Sequence, residues 1–311
     1  MKKNILLIAA LLGAMTWTGC VKEEPLPEEP EVLRASADSV WTLTLQAVKQ
    51  DAPETKGLAI EGEEATTIAL KSIWKADEPV KVFLGTDCIG ILTAAPDNED
   101  AHKATLSGTV ITTNLEANVS TITLLTPRES WDYTGQEGML LETAGSIEKM
   151  YHYTAATGIL VTAVDTEHGT ITTENATFTS QQSIYRMNFR YLNPGSTKLP
   201  ITAKSVTITS AGGHLVQSQA VDGTSLVEGA IDVTLGTASA DPFFVALRNG
   251  DETNEETLSF TVIDADGITY KGTMTIPAAY KPNGTFVSMK NATLNERLGV
   301  TLSATEVSTV W

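Results

Sequence analysis

The stretch LSFTVIDADGITYKGTMTI, residues 258–276, shows most directly how this chain folds. Apolar and polar side chains alternate on both sides of a short polar turn, so Leu258, Phe260 and Val262 would share one face of a strand. The turn at 264–267 ends in glycine, as tight hairpin turns often do. The many Thr, Val and Ile residues have β-branched side chains, which favour strands over helices. The stretch therefore predicts an antiparallel hairpin with one buried face.

The same alternation recurs along the rest of the chain in short, β-branched runs. These runs are 41–47, 80–84, 104–110, 120–125, 159–164, 184–189, 205–209, 231–235, 243–247, 285–289 and 300–307. After the first twenty residues, no window longer than ten residues keeps a helical period. Short strands separated by Gly, Asn and Asp are typical of β-sandwiches, so we predict an all-β protein.

Two sandwich domains fit the length of the chain better than one. The stretch 165–175 is polar and rich in turn residues, whereas the apolar run beginning near Ala176 reads as the first strand of a new sheet. We therefore expect an N-terminal sandwich over 38–175 and a C-terminal sandwich over 176–311.

The N-terminus has the pattern of a bacterial lipoprotein signal. Lys2 and Lys3 precede an apolar run at 5–15, and Gly19 precedes Cys20. The run is too short to cross a bilayer core of roughly 30 Å as a helix. We expect cleavage between Gly19 and Cys20 and lipidation of Cys20, so that residues 1–19 are a signal peptide and lipid is the only membrane anchor.

Residues 20–37 are expected to form an extended linker. Val21-Lys22-Glu23-Glu24 resembles the signal that sends Bacteroidetes lipoproteins to the cell surface. The following stretch, 25–31, consists of Pro, Leu and Glu, a composition with too little apolar surface to fold. The expected location is the outer face of the cell outer membrane.

Net charge and cysteine content limit the functional classes. The formal charge of −17 at pH 7 disfavours nucleic acid and anionic lipid as partners. Once Cys20 carries lipid, Cys88 is the remaining cysteine, so an intramolecular disulfide is excluded. A cysteine between Asp87 and Ile89 is most often a small buried apolar residue.

The sequence shows no recognisable catalytic or metal-binding motif. Its four histidines are scattered without metal-ligand spacing, and no Gly-x-Ser-x-Gly nucleophile motif is present. The acidic runs 97–100 and 251–256 lack the spacing of a calcium loop. We expect no enzyme activity, no cofactor and no metal.

Four segments, in order, resemble the fimbrillin-like lipoproteins of Bacteroidales, which include major and minor fimbrial subunits. They are Thr55-Lys56-Gly57 followed by Trp74-Lys75-Ala76-Asp77-Glu78-Pro79-Val80-Lys81-Val82-Phe83, then Asp132-Tyr133-Thr134-Gly135-Gln136-Glu137-Gly138, then Tyr151-His152-Tyr153-Thr154-Ala155, and finally FTSQQSIYRMNF at 178–189. The resemblance covers the chain from about residue 40 to its end. It implies two transthyretin-like β-sandwich domains and a role as a fimbrial structural or accessory subunit in adhesion.

The resemblance also implies a mode of assembly. In that family an arginine-directed protease removes an N-terminal segment, and a strand of the next subunit fills the opened groove. Arg34 followed by Ala35 is placed as such a site would be, although Arg34 could equally be a solvated linker charge. An incoming strand would restore ladder hydrogen bonds and side-chain burial. The expected partners are other fimbrial subunits and a ligand on a host or bacterial surface.

The C-terminal run could supply a donor strand or could remain in its own sandwich. Its candidate apolar face consists of Val300, Leu302, Ala304, Val307 and Trp311. Glu306 interrupts the alternation.

The alternative function is a surface lipoprotein that binds glycans and does not polymerise. Aromatic side chains form platforms for sugar rings, although they more often pack into a core. The aromatic residues in question are Trp74, Trp131, Tyr133, Tyr151 and Tyr153. A separate tripeptide, Asp38-Ser39-Val40, resembles the O-glycosylation acceptor of these bacteria and makes Ser39 a candidate modification site.

Overall fold

The protein is all-β in the computed structural model, which describes residues 39–50, 72–141, 143–193, 197–250, 253–278, 283–284 and 286–298. Within these ranges, one helical segment of five residues is present, a single π-helical turn at Ile147–Tyr151. No helix in the described residues is long and apolar enough to cross a membrane.

Nine strands come from the first half of the chain. They are β1 (Ser39–Lys49), β2 (Pro79–Leu84), β3 (Asp87–Pro96), β4 (Lys103–Thr112), β5 (Thr121–Thr126), β6 (Trp131–Asp132), β7 (Thr154–Asp165), β8 (Thr170–Thr173) and β9 (Ala176–Ser180). Eleven strands come from the second half. They are β10 (Ser183–Leu192), β11 (Lys198–Pro200), β12 (Ala203–Ser210), β13 (Val216–Gln219), β14 (Val227–Glu228), β15 (Ile231–Ser239), β16 (Phe243–Leu247), β17 (Glu256–Asp264), β18 (Thr269–Ile276), β19 (Phe286–Leu294) and β20 (Glu296–Leu298).

Eight of the first nine strands form a single sheet that closes on itself. Its order is β4-β3-β2-β5-β7-β8-β1-β9, with further pairings of β4 with β1 and of β7 with β9. Strand β1 runs antiparallel to β4 over ten residue pairs, from Ser39↔Thr112 to Val48↔Lys103. On its other side β1 runs parallel to the short strands β8 and β9. Because both of its sides are paired, β1 holds the two ends of the sheet together.

The alternation of β1 places Leu43, Leu45 and Ala47 inside this sheet and the residues between them outside. The core that they enter includes Trp74, whose ring meets the ring of Phe178 edge to face at 5.0 Å between centroids.

The second half builds further sheets around a separate apolar cluster. Strands β15-β12-β17-β18-β20 form one sheet, and β10 pairs with β16, β11 and β19 in another. A small sheet joins β13 and β14 to β6, which comes from the first half of the chain. The core here includes Phe189 and Phe260, with ring centroids 5.4 Å apart.

The predicted all-β class with sandwich-like packed sheets is confirmed. The hairpin predicted at 258–276 is present as β17 and β18, paired from Glu256↔Ile276 to Ile263↔Thr269. Strands β3 and β13 were missed, because their apolar residues are interrupted by Gly, Ala or polar residues. The expectation that the run near Ala176 is the first strand of a new sheet is wrong, because β9 pairs with β1 and β7 in the closed sheet. The run 300–307 lies outside the described residues, and the domain boundary near 175 stays a prediction.

Candidate functional site

Most of the predicted site residues lie outside the described part of the chain. These are Gly19, Cys20, Arg34, Ala35, Val300, Leu302, Ala304, Val307 and Trp311. Ser39, the candidate glycosylation site, is the first residue of β1 and is half-buried opposite Thr112.

The last described strand, β20, lies at the edge of the β15-β12-β17-β18-β20 sheet. This strand pairs antiparallel with β18, as Lys271↔Glu296, Tyr270↔Arg297 and Thr269↔Leu298. Thr269 is the first residue of β18 and follows the hairpin turn that ends in Gly267. Within the described residues, this pairing runs as far as Leu298, which lies opposite the first residue of β18.

Strand β19 presents an edge of the second half of the protein. It runs parallel to β10 from Ile184↔Phe286 to Tyr191↔Leu294, and among the described residues no strand pairs with its other side. Its side chains Phe286, Val287 and Met289 are nevertheless buried. A long strand with buried side chains and one open edge is the kind of structure to which another strand can add.

A cavity of about 500 Å³ lies beside the end of β1. Its walls are largely apolar, with Ile73, Pro79, Pro127, Leu140, Ile147 and Ile184 among the lining residues. The charged lining residues include Lys49, Lys75, Glu78 and Glu148.

These charged groups pair with one another across the cavity. Lys49 Nζ donates to Glu78 Oε1 at 2.7 Å and to Glu78 Oε2 at 2.8 Å, and it lies 4.1 Å from the centre of the Trp74 ring. Burial lowers the pKa of Lys49, and the Glu78 carboxylate opposes that shift. Lys75 forms an ion pair with Glu148. Two of the lining lysines are therefore matched by carboxylates, and Lys149 is a third lysine in a lining that is otherwise largely apolar.

His152 also lines the cavity. Burial lowers the pKa of His152 to about 4, with a smaller contribution from the positive charge of Lys49. The imidazole is thus neutral at physiological pH. Its Nε2 lies 3.5 Å from Ser180 Oγ.

The segment at 132–138, quoted above for its family resemblance, attaches the first half of the chain to the second. Gln136 is buried, and its side-chain amide forms two hydrogen bonds with the backbone of Ala246 in β16. Gln136 Nε2 also donates to Tyr133 O at 2.9 Å. The Gln136 amide therefore bonds the backbone N–H and C=O groups of β16 that a neighbouring strand would otherwise bond. This role was not predicted from the sequence.

All five aromatic residues considered as sugar platforms are buried, each 5% exposed or less. Tyr133 and Tyr153 meet edge to face at 5.2 Å between centroids, and Tyr153 OH donates to Asp132 O at 3.0 Å. Burial raises the pKa of Tyr153 to about 12. None of the five therefore offers a free ring face to a sugar.

The expectation that Cys88 is buried is wrong. The side chain is exposed next to the β2–β3 turn, because Cys88 precedes an irregularity in the β2–β3 register that returns the later residues of β3 to the core. The acidic run at 97–100 forms a turn, in which Asp97 Oδ1 accepts the backbone N–H groups of Glu99 and Asp100. The described residues contain no group of three His, Cys, Asp or Glu side chains arranged to hold a metal.

No family model and no curated protein matches the sequence. Solved structures that resemble the chain include a protein from Bacteroides uniformis provisionally named a cell adhesion protein, with 12% identity, a TM-score of 0.35 and coverage of 81% of this chain and 93% of that chain. A fimbrial assembly protein from Parabacteroides distasonis aligns with 12% identity and a TM-score of 0.32, covering 81% of this chain and 90% of that chain. A provisionally named adhesin from Bacteroides ovatus aligns with 9% identity and a TM-score of 0.37, covering 92% of this chain and 100% of that chain. All three TM-scores are below 0.5.

Proposed function

We propose that this chain is a cell-surface lipoprotein, anchored through Cys20, that serves as a fimbrial structural or accessory subunit in adhesion. Its subunits join by strand addition after cleavage between Arg34 and Ala35. The role is binding and assembly rather than catalysis, and the partners are other subunits and a surface ligand.

The observation that carries this proposal is the edge of β19. Among the described residues β19 pairs with β10 alone, and its side chains Phe286, Val287 and Met289 are buried. A strand edge of this kind is one to which a donor strand can add. The candidate donor is the alternating apolar run that begins at Val300.

Cleavage after Arg34 is compatible with an intact fold. Strand β1 begins at Ser39, beyond the cleavage site, and its ten-pair ladder with β4 would be retained in the processed chain. The family resemblance assigns the removed segment the task of uncovering an acceptor edge.

The test is limited digestion of purified residues 21–311 with an arginine-specific protease. The product is run unboiled on a denaturing gel, and its N-terminus is sequenced. We expect a start at Ala35 and a ladder of detergent-resistant oligomers, because added strands dissociate slowly. The controls are Arg34→Ala, which should remain unprocessed, and a chain that ends at Leu298, which should be processed but remain monomeric.

Each other outcome changes the conclusion. Processing at Ala35 with monomer alone contradicts polymerisation and favours a tip subunit or the glycan-binding alternative. Oligomers from the chain that ends at Leu298 would remove the C-terminal run from the donor role. A product that does not start at Ala35 contradicts the processing step.

A further inference from the structure

One outer face of the closed sheet carries almost no charge. It is formed by the side chains at even positions 40–48 of β1, odd positions 105–111 of β4 and odd positions 91–95 of β3, and we call it the threonine face. One row across β1, β4 and β3 consists of Thr42, Thr109 and Ile91. The next row consists of Thr44, Ser107 and Thr93. Hydroxyl and β-branched side chains therefore form continuous rows across three strands.

Charge is scarce on this face. The charged residues of β1, β3 and β4 are Lys49, which is buried, and Asp87 and Lys103, which are the first residues of their strands; Lys103 lies at the border of the face, opposite Val48. The neighbouring strands β7, β8 and β9 are similarly poor in charge, with Asp165 at the end of β7. The outward positions of the β15-β12-β17 sheet, by contrast, include the exposed Lys204 and Asp232. A high β-propensity explains threonine on an exposed strand, but it does not explain why Lys and Glu are missing.

Apolar side chains lie together at one end of the threonine face. Val40 is 63% exposed and sits directly opposite Ile111, which is 52% exposed. Ile91, 49% exposed, lies beside Thr109 in the next row. Three exposed aliphatic side chains on neighbouring strands are typical of a contact surface.

We propose that a second copy of this chain docks on the threonine face, with the two faces packed against each other around a two-fold axis. The charge of the chain points to this partner. Two copies with a formal charge of −17 each repel one another over most orientations, and this uncharged face lets them approach to contact distance. Its β-branched side chains lose few rotamers when they are covered, so ordering them costs little entropy.

The dimensions of the face predict a weak contact. Strand β1 spans roughly 27 Å from position 40 to position 48, and four strand widths, counting Thr170 of β8 and Thr177 of β9, cover roughly 19 Å. Each copy would therefore bury on the order of 500 Å², which puts the pair near the roughly 1,000 Å² minimum for specific interfaces. A dissociation constant on the order of 0.1 mM is expected. This part of the inference rests on the proposed function, in which subunits are held in an array. In such an array many weak contacts of this kind would add up to a stable lateral association.

The test is sedimentation equilibrium of unprocessed residues 21–311 over roughly 0.01 to 1 mM protein. Because this contact needs neither cleavage nor strand addition, its failure and that of the proposed function are distinguishable. We expect reversible dimers that become tighter when salt is raised from about 0.05 to about 0.5 M, since salt screens the repulsion between acidic copies.

Charge placed on the face should abolish the dimer. Thr44→Glu with Thr109→Glu puts carboxylates in the centre of the face, at exposed positions that do not enter the core. The matched control, Thr234→Glu with Thr273→Glu, adds the same charge at exposed threonines of β15 and β18. Circular dichroism and thermal unfolding of both variants establish that each is folded. We expect at least a tenfold weaker dimer for the first pair and a small change for the control.

Four outcomes would overturn the inference. They are a wild-type chain that stays monomeric at the highest concentration, equal weakening by both pairs of substitutions, a dimer unaffected by the first pair, and a dimer that weakens as salt is raised. A monomeric chain that is retained on a neutral polysaccharide gel, with retention lost in the first pair, would instead assign the face to a glycan.

Discussion

The hydrogen bonds of Gln136 provide the sharpest test of how the two halves of the chain are joined. Gln136→Leu keeps a side chain of similar volume but removes both hydrogen bonds to Ala246, whose N–H and C=O are fully buried. Each buried backbone group left without a partner costs about 1–3 kcal/mol. The expected loss in the free energy of unfolding is therefore about 4 kcal/mol.

Urea unfolding followed by circular dichroism measures this loss. With a denaturant slope of about 3 kcal/mol per molar, the midpoint should fall by about 1.3 M. The matched control is Gln46→Leu, since Gln46 is exposed and bonds to Thr105 Oγ1 on the surface, and its effect should stay within about 0.5 kcal/mol. A Gln136→Leu loss below about 1 kcal/mol would show that Gln136 does not secure β16, and the reasoning would be refuted.

Three further predictions concern backbone conformation, pH and the buried ion pair. Gly138 and Gly213 both have φ of 78°. A Cβ at Gly138 would lie 2.3 Å from Leu235 Cδ2, whereas a Cβ at Gly213 would meet no atom within 4 Å. Gly138→Ala should therefore lower the melting temperature far more than Gly213→Ala. Since the pKa of His152 is about 4 when folded and near 6.5 when unfolded, only the unfolded state takes up this proton as pH falls from 6.5 to 4. The wild-type chain should therefore lose up to about 3 kcal/mol relative to His152→Gln in urea titrations over that range, and parallel pH curves would contradict the assignment. Lys49→Met leaves the half-buried Glu78 without its cation and should cost about 2 kcal/mol, and adding Glu78→Gln should restore much of it. An additive double-mutant cycle in the same urea assay would show that the pair is uncoupled.

The contacts of the candidate site could not be predicted from the sequence, because they join residues that are far apart along the chain. Lys49 and Glu78 are 29 residues apart, and Gln136 and Ala246 are 110 apart. Periodicity shows which face of a strand is buried, but it does not show which strands become neighbours. The cavity beside β1 and the hydrogen bonds of Gln136 to β16 depend on which strands are neighbours, so they were not predicted.

Cys88 shows a similar limit on a smaller scale. A cysteine in an extended segment is most often buried, but the register of β3 against β2 shifts between Val82 and Phe83. A single irregularity reverses which side chains face the core. Trp74, in contrast, is buried, as expected for an aromatic side chain that packs into a core.

The sequence by itself determined the all-β class, the positions of most strands and the inward face of strands such as β1 and β17. It could do so because side-chain alternation and β-branching act locally, within a few residues. The tertiary structure alone decided that β1 closes the sheet, that β20 pairs with β18 and that β1, β4 and β3 place their threonine-rich faces side by side. These features depend on pairing between distant segments, which is set by the packing of the whole chain and not by the pattern within any one strand.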